Sequence, residues 1–157
     1  MEKIAVFPGS FDPITIGHKE IILRFAPLFD KIIVLIGKND SKKTLFNPED
    51  RTKWVKDTFQ SFDNIEVDVF DGLTTDYCIK AKANYIIRGI RNGMDFEFEK
   101  NIDLMNKQLH PEVETLFMTS MPMFAHISSS LIREIYTRNR DISAFIPPEV
   151  KIPLYTK

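Results

Sequence analysis

Short runs of β-branched and aliphatic residues alternate with longer amphipathic segments along this chain, and this alternation limits its fold more than any other feature. Five runs predict strands, at residues 3–7, 31–36, 65–70, 85–88 and 114–118. Strands that alternate with helices predict a parallel sheet covered on both faces. We therefore expect an α/β fold with a doubly wound sheet of five parallel strands and helices on both faces. Ligands of such folds bind at the carboxyl ends of the strands.

Apolar residues at helical spacing mark the segments between the strands. Asn47 is placed to cap a helix that starts at Pro48, where the missing N–H of proline costs nothing. Three apolar stripes predict further helices: Ile21, Ile22, Phe25, Leu28 and Phe29; Phe98, Ile102, Met105 and Leu109; and Leu131, Ile132 and Ile135.

Composition removes several classes of protein. The 157 residues, 43% of them hydrophobic, fit a single domain spanning residues 1–157. A net charge of -1 predicts no nucleic-acid partner, and no run of about 20 apolar residues predicts a membrane span. The N-terminus leads straight into a predicted strand, so we expect no secretion signal. Cys78 is the single cysteine, which favours a reducing, cytoplasmic location.

The loop after the first predicted strand has the outline of a nucleotide site. It reads Pro-Gly-Ser-Phe-Asp-Pro-Ile-Thr-Ile-Gly-His over residues 8–18. Gly9 and Gly17 permit close approach of a ligand to the backbone, and Thr15 is placed to cap the helix that follows. The free amides of that first helical turn favour phosphate, beside which His18 would lie. Glycines near a helix start also serve structure alone, so the loop by itself leaves both interpretations open.

Three more polar motifs follow predicted strands, and all could face one crevice. Residues 41–43 read Ser-Lys-Lys, residues 88–91 read Arg-Gly-Ile-Arg, and residues 127–130 read Ile-Ser-Ser-Ser. In the second motif Gly89 is expected to bend the chain, while the two guanidiniums hold phosphates. Each motif has a structural alternative: a solvated loop, a surface salt bridge and a helix cap, respectively.

Taken together with Asp-Phe-Glu-Phe-Glu at residues 95–99, these motifs resemble the phosphopantetheine adenylyltransferases of the nucleotidyltransferase superfamily. The resemblance covers nearly the whole chain and implies one Rossmann-like domain. It implies adenylyl transfer from ATP to 4'-phosphopantetheine, giving dephospho-coenzyme A and pyrophosphate by direct in-line attack without a covalent intermediate. It also implies a requirement for Mg²⁺, a homohexamer, and coenzyme A as a feedback inhibitor.

The resemblance also implies roles for individual residues. His18 would stabilise the transition state at the α-phosphate, Lys42 and Arg88 would orient the phosphate of the acceptor, and Arg91 would hold the β and γ phosphates. Ser10 and Thr74 would complete the acceptor site. The expected ATP contacts are Ser10, Phe11, His18, Gly89, Ile90, Arg91, Glu99, Phe124, Ala125, His126, Ile127, Ser128, Ser129 and Ser130. For Glu99 an exposed carboxylate favoured by the helix dipole is the alternative. No residue is expected to bind the metal directly, because Mg²⁺ would be held largely by the nucleotide phosphates.

Other functions remain open on the sequence alone. A related nucleotidyltransferase acting on nicotinamide mononucleotide or an alcohol phosphate would share the first loop and differ in the acceptor elements. The Ile-Ser-Ser-Ser motif favours adenylate over cytidylate chemistry by resemblance. A nucleotide-sensing module would have little reason to keep His18, Lys42, Arg88 and Arg91 together. A fragment of a class I aminoacyl-tRNA synthetase also contains a Gly-His element, but this chain is short and nearly neutral.

Overall fold

The computed structural model describes residues 2–38 and 43–155 of the chain. The strands of this described part are β1 (Ile4–Gly9), β2 (Lys31–Gly37), β3 (Ile65–Phe70), β4 (Tyr85–Ile90) and β5 (Glu114–Thr119). Its α-helices are α1 (Ile16–Phe25), α2 (Pro48–Phe59), α3 (Thr74–Ala81), α4 (Gly93–Leu109) and α5 (Ser129–Thr137). All five predicted strands are present, and the largest difference in a boundary is two residues.

The five strands form one parallel sheet in the order β3-β2-β1-β4-β5. In the centre of the sheet, Val6 of β1 pairs with Ile33 of β2 on one side and with Ile86 of β4 on the other. The chain runs outward from β1 to β3 and then returns to add β4 beside β1. This reversal opens a crevice at the carboxyl ends of β1 and β4, which is where doubly wound folds bind ligands. The predicted fold class is confirmed.

Successive residues of the strands supply two hydrophobic cores, one on each face of the sheet, because side chains alternate along a strand. Phe7, Val34 and Ile87 pack on the first face, together with apolar residues from α1, α2 and α5. Val6, Leu35 and Ile86 pack on the second face, together with Tyr77 and Cys78 of α3. Helices therefore cover both faces, as the alternation of strand and helix predicts.

Two apolar stripes differ from expectation. Leu28 is exposed because α1 ends at Phe25 and a single 3₁₀ turn follows. The stripe predicted on α4 faces solvent: Phe98 is 64% exposed and Met105 is 67% exposed. Helix α4 instead places Glu99 against the sheet, and Phe96 packs its ring edge-on against Phe117 of β5 at 5.6 Å. In the described ranges, no helix is both long and apolar enough to cross a bilayer.

Candidate active site

The turn between β1 and α1 has an unfavourable backbone conformation that contacts with neighbouring residues stabilise. Phe11 adopts φ 48, a left-handed conformation that is unfavourable for a bulky residue, and its ring is 1% exposed. Arg51 of α2 donates from Nη1 to the carbonyl oxygen of Ser10 at 2.5 Å. The buried carboxylate of Asp12 accepts hydrogen bonds from the backbone N–H groups of Leu45 and Phe46, both at 2.9 Å. The turn is therefore fixed before any ligand arrives.

His18 is locked into one orientation by the cap of α1. The Thr15 hydroxyl accepts from the backbone N–H of His18 at 3.2 Å, and the backbone N–H of Thr15 donates to His18 Nδ1 at 3.1 Å. This reciprocal pair is a capping box in which histidine stands where Glu or Gln is usual. Because Nδ1 accepts a hydrogen bond, the ring proton of the neutral imidazole lies on Nε2. The predicted cap is confirmed, and it makes His18 a donor through Nε2.

The surroundings of His18 favour its neutral form. Burial lowers its pKa to about 4, and the positive charges of Arg88 and Arg91 contribute in the same direction. The ring of Phe11 lies edge-on to the imidazole, with 5.2 Å between ring centroids. A neutral imidazole that carries its proton on Nε2 can donate one hydrogen bond at physiological pH.

A cavity of about 520 Å³ opens beside His18 at the carboxyl edge of the sheet. It collects most of the residues expected to contact ATP: Ser10, Phe11, His18, Gly89, Arg91, Glu99, Phe124, Ile127, Ser128, Ser129 and Ser130. Ile90, Ala125 and His126 do not line it; Ile90 is buried in the sheet and His126 is exposed. Loops after β1, β4 and β5 thus meet at one place, as their positions at strand ends predict. We name this space the nucleotide cavity.

The start of α5 forms one wall of the nucleotide cavity. Ser128 caps the helix by accepting from the N–H of Leu131 at 3.2 Å, and Ser129 donates to the carbonyl oxygen of Pro13 at 2.9 Å. Arg133 donates to the carbonyl oxygen of Asp12 at 2.7 Å and to the Ser130 hydroxyl at 3.2 Å. The bonds to Pro13 and Asp12 join α5 to the first loop. The N-terminal amides of α5 and the guanidinium of Arg133 therefore both face the nucleotide cavity.

A second cavity of about 480 Å³ lies between the sheet and helices α3 and α4. Thr74 lines it, as do Ile102, Asp103 and Asn106 of α4 and Thr115 of β5. Two buried polar atoms in its wall, Asp103 Oδ1 and Thr115 Oγ1, have no hydrogen-bond partner within the described structure. We name this space the acceptor cavity.

The two cavities meet at one set of residues. Pro8, Gly9, Ser10, Arg88 and Glu99 line both of them. Arg88 lies at the junction, where it donates to the Pro8 carbonyl oxygen and to both oxygens of Glu99. Glu99 is 8% exposed, so the alternative of a solvated carboxylate at a helix start is wrong. A group bound in one cavity and a group bound in the other could therefore touch at Arg88.

Gly89 does not bend the chain, contrary to the sequence interpretation. Strand β4 continues through it to Ile90. A Cβ built on Gly89 would lie 3.0 Å from Ile21 Cγ1 of α1, closer than ordinary carbon contacts. Glycine is needed here because α1 approaches the sheet closely, and this approach brings His18 next to β4.

One expected catalytic residue, Lys42, and its neighbour Ser41 lie outside the described residues. Lys43 is described and is exposed. The geometry of the Ser-Lys-Lys motif therefore stays a prediction.

Sequence reasoning missed several residues of the site. Arg133 could have been found from the sequence, because it lies three residues after Ser130 and this spacing places both side chains on one face of a helix. Asp103 and Asn106 have a similar signal, because they lie four and seven residues after Glu99. Of the stripe predicted on α4, Ile102 also lines the acceptor cavity, whereas Phe98, Met105 and Leu109 line neither cavity.

Comparison with known proteins agrees with the fold and the motifs. Residues 6–135 match the family model described as cytidylyltransferase-like. A phosphopantetheine adenylyltransferase of Cytophaga hutchinsonii is 46% identical over 150 residues, covering 96% of this chain and 100% of that protein. One from Leptospira biflexa is 42% identical over 157 residues, covering 100% of this chain and 98% of that protein.

A solved structure described as a putative nicotinate-nucleotide adenylyltransferase from Vibrio parahaemolyticus superimposes with a TM-score of 0.71. The alignment covers 96% of this chain and 90% of that one at 20% identity, which shows a shared fold.

The doubly wound sheet, the site at its switch point and the match to the family model define an enzyme of the nucleotidyltransferase superfamily. Identity above 40% over nearly the full length of both chains narrows the class further. The chain belongs to the phosphopantetheine adenylyltransferase family.

Proposed function

We propose that this chain transfers the adenylyl group of ATP to 4'-phosphopantetheine, giving dephospho-coenzyme A and pyrophosphate. The observation that supports it most is the pair of cavities that meet at Arg88. The nucleotide cavity has the volume and cations for a nucleoside triphosphate, and the acceptor cavity has a polar wall that suits an amide-containing arm. A reaction that joins two phosphates needs both substrates to approach at one point.

The proposed chemistry is a direct displacement. An oxygen of the acceptor phosphate forms a bond to the α-phosphorus of ATP, and the bond from that phosphorus to the α,β-bridging oxygen breaks. The electron pair leaves with pyrophosphate. The acceptor phosphate is already an anionic nucleophile at neutral pH, so no side chain has to be activated and no covalent intermediate forms.

The chain contributes positioning and charge stabilisation. His18 Nε2–H would donate to a non-bridging oxygen of the α-phosphate, where charge accumulates in the transition state. Arg91 would hold the β and γ phosphates, Arg88 with Lys42 and Ser10 would hold the acceptor phosphate, and Thr74 would contact the arm. The remaining contacts to ATP would come from the first loop and the start of α5.

Mg²⁺ fits this scheme as a partner of the nucleotide. In the described part of the nucleotide cavity the carboxylates are Asp95 and Glu99, and both are bound by arginines. The described residues also contain no cluster of three metal-ligating side chains. The phosphate oxygens of ATP would therefore hold the ion, whose charge offsets that of the phosphates.

Three further features belong to the same proposal. Coenzyme A shares the arm of the acceptor and would compete for the acceptor cavity. The exposed apolar face of α4 would be covered in a homohexamer. A cytoplasmic location fits Cys78, which is buried and unpaired.

The proposal is tested by pyrophosphate release from ATP and Mg²⁺ with 4'-phosphopantetheine, with nicotinamide mononucleotide, or with no acceptor. CTP replaces ATP in a parallel series. We expect release that requires both ATP and phosphopantetheine. Turnover with another acceptor would exclude the proposed substrate, and ATP binding without turnover would favour a nucleotide sensor.

A further inference from the structure

The guanidinium of Arg88 is held by a carboxylate of helix α4. Arg88 Nε donates to Glu99 Oε2 at 2.8 Å, Nη2 donates to Glu99 Oε1, and Nη1 donates to the carbonyl oxygen of Pro8. The Glu99 carboxylate thus binds the side of the guanidinium formed by Nε and Nη2. Because Glu99 is almost fully buried, water competes little for the hydrogen bonds of this pair.

Arg91 is held in the same manner by the same helix. Its Nε donates to Asp95 Oδ2 at 2.8 Å and its Nη2 to Asp95 Oδ1 at 3.1 Å, while its backbone N–H donates to Oδ2 at 3.1 Å. Partial burial raises the pKa of Asp95, but these bonds and the charge of Arg91 outweigh it, so the net pKa is lower than usual. Asp95 and Glu99 are four residues apart and therefore lie on one face of α4.

This arrangement leaves part of each arginine free for phosphate. A guanidinium carries five N–H donors, and the carboxylate uses one on Nε and one on Nη2. The remaining donors belong to Nη1 and to the outer side of Nη2, which is where a second anion can accept two parallel bonds. In Arg88 the Pro8 carbonyl takes one of the remaining three, so two are left. Each arginine can hold a carboxylate and a phosphate at the same time.

We propose that Glu99 and Asp95 are positioning residues, which act on the two substrates separately by fixing Arg88 and Arg91. Glu99 acts through Arg88 on the acceptor phosphate, and Asp95 acts through Arg91 on the phosphates of ATP. The inference rests on the proposed function for the identity of the acceptor and for the assignment of Arg88 to its phosphate and of Arg91 to the phosphates of ATP.

Charge and positioning make opposite predictions for this site. A carboxylate beside a phosphate repels it, so removing the charge of Glu99 would tighten substrate binding if charge were its whole effect. If Glu99 instead fixes Arg88, removing the charge releases the guanidinium into several rotamers, and binding weakens. The sign of the change therefore distinguishes the two roles.

Steady-state kinetics of Glu99→Gln and Asp95→Asn test the proposal. We expect Glu99→Gln to raise KM for phosphopantetheine about tenfold while KM for ATP stays within about twofold, and Asp95→Asn to do the reverse. Glu97→Gln is the matched control, because Glu97 is an exposed carboxylate on the same helix and should change neither KM. A rise confined to KM for ATP in Glu99→Gln, or tighter binding in either variant, would overturn the proposal.

A double-mutant cycle separates positioning from an independent contact. If Glu99 acts through Arg88, adding Glu99→Gln to Arg88→Ala leaves KM for the acceptor where Arg88→Ala alone put it. Additive losses would mean that Glu99 contacts the substrate directly, and the proposal would fail.

Calorimetric binding of ATP to Asp95→Asn needs neither an acceptor nor turnover. We expect about tenfold weaker binding than in the wild-type protein, and unchanged affinity would refute the role of Asp95. A wild-type protein that binds ATP but does not use phosphopantetheine would refute the proposed function, yet this measurement would still test the inference. Thermal melting of each variant tests whether the loss of binding comes from unfolding.

Discussion

His18 shows how one side chain can serve both a helix and a reaction. The nitrogen that accepts from the Thr15 backbone is also the nitrogen that cannot carry the proton, so the helix cap determines the tautomer. The same contact fixes the direction of the ring toward the nucleotide cavity. A donor that is oriented before the substrate arrives costs little reorganisation in the transition state.

The protonation of His18 can be measured directly. We expect its imidazole in the nucleotide-free protein to titrate near pH 4, because burial and two arginines disfavour the cation. A histidine that titrates near 6.5 when unfolded and near 4 when folded binds more protons in the unfolded state between these values. Its contribution to the free energy of unfolding is therefore complete above about pH 6.5 and is lost as the pH falls toward 4. Titration of the histidine ring signals by NMR checks this, and a midpoint near 6.5 would contradict it.

The kinetic role of His18 requires its own variant. We expect His18→Ala to lower kcat by about 10²–10³, because a donor to the α-phosphate acts mainly in the transition state. The KM for ATP should change much less. His110→Ala is the matched control, since His110 lies on the surface, where it contacts Asp76. Near-normal kcat with only a raised KM would show that His18 binds the ground state.

At the scale of elements, the site depends on how closely α1 approaches β4. Gly89 permits that approach, and Ile21 occupies the space where a side chain would be. We expect Gly89→Ala to reduce the free energy of unfolding by about 1–3 kcal/mol, the usual cost of overpacking a tight core. Urea denaturation measures the loss.

Gly17→Ala is the matched control for that substitution. A Cβ on Gly17 would meet its nearest atom at 3.5 Å, which is an ordinary contact, and alanine favours a helix over glycine. Stability should therefore be unchanged or slightly higher. Equal losses in the two variants would show that the cost comes from losing glycine and not from the approach of α1.

The elements that sequence predicts well are those whose signals are local. Asn47 caps α2 as expected, since cap and proline stand side by side in the sequence. Helix α3 was not predicted: it is short, Leu73 before it provides no side-chain cap, and it begins with Thr74 and Thr75, whose β-branched side chains disfavour helix. The role of Gly89 could not be predicted either, because the neighbour that requires it is 68 residues away in the chain.

The pairs of side chains between the sheet and α4 were harder to predict than the elements themselves. The motif at the end of β4 contains Arg88 and Arg91, the family resemblance adds Glu99, and the fold brings all three together at the predicted edge. Which residues of α4 pair with the arginines depends on how the helix is rotated about its own axis. The apolar stripe of α4 predicts the wrong rotation. That stripe is largely exposed to solvent, and the carboxylates of α4 face the arginines.

At the scale of the whole molecule, the exposed face of α4 indicates self-association. Phe98 and Met105 are exposed on α4, whose Phe96 packs against the edge strand β5, and a monomer rarely leaves such an apolar surface in water. Six copies are what the family resemblance implies. We expect sedimentation of the wild-type protein to show an assembly several times larger than the 18.2 kDa chain.

A charge on this face should break the assembly, because an interface centred on apolar residues does not tolerate an unpaired carboxylate. We expect Phe98→Glu to shift sedimentation toward the monomer, while Leu28→Glu, a similar change at an exposed leucine in the turn after α1, leaves it unaltered. The acceptor cavity shares Ile102 with this face, so the monomeric variant should also bind the acceptor less tightly than the wild-type protein does. A wild-type protein that sediments only as an 18.2 kDa species would contradict the prediction, and the exposed stripe would then need another partner.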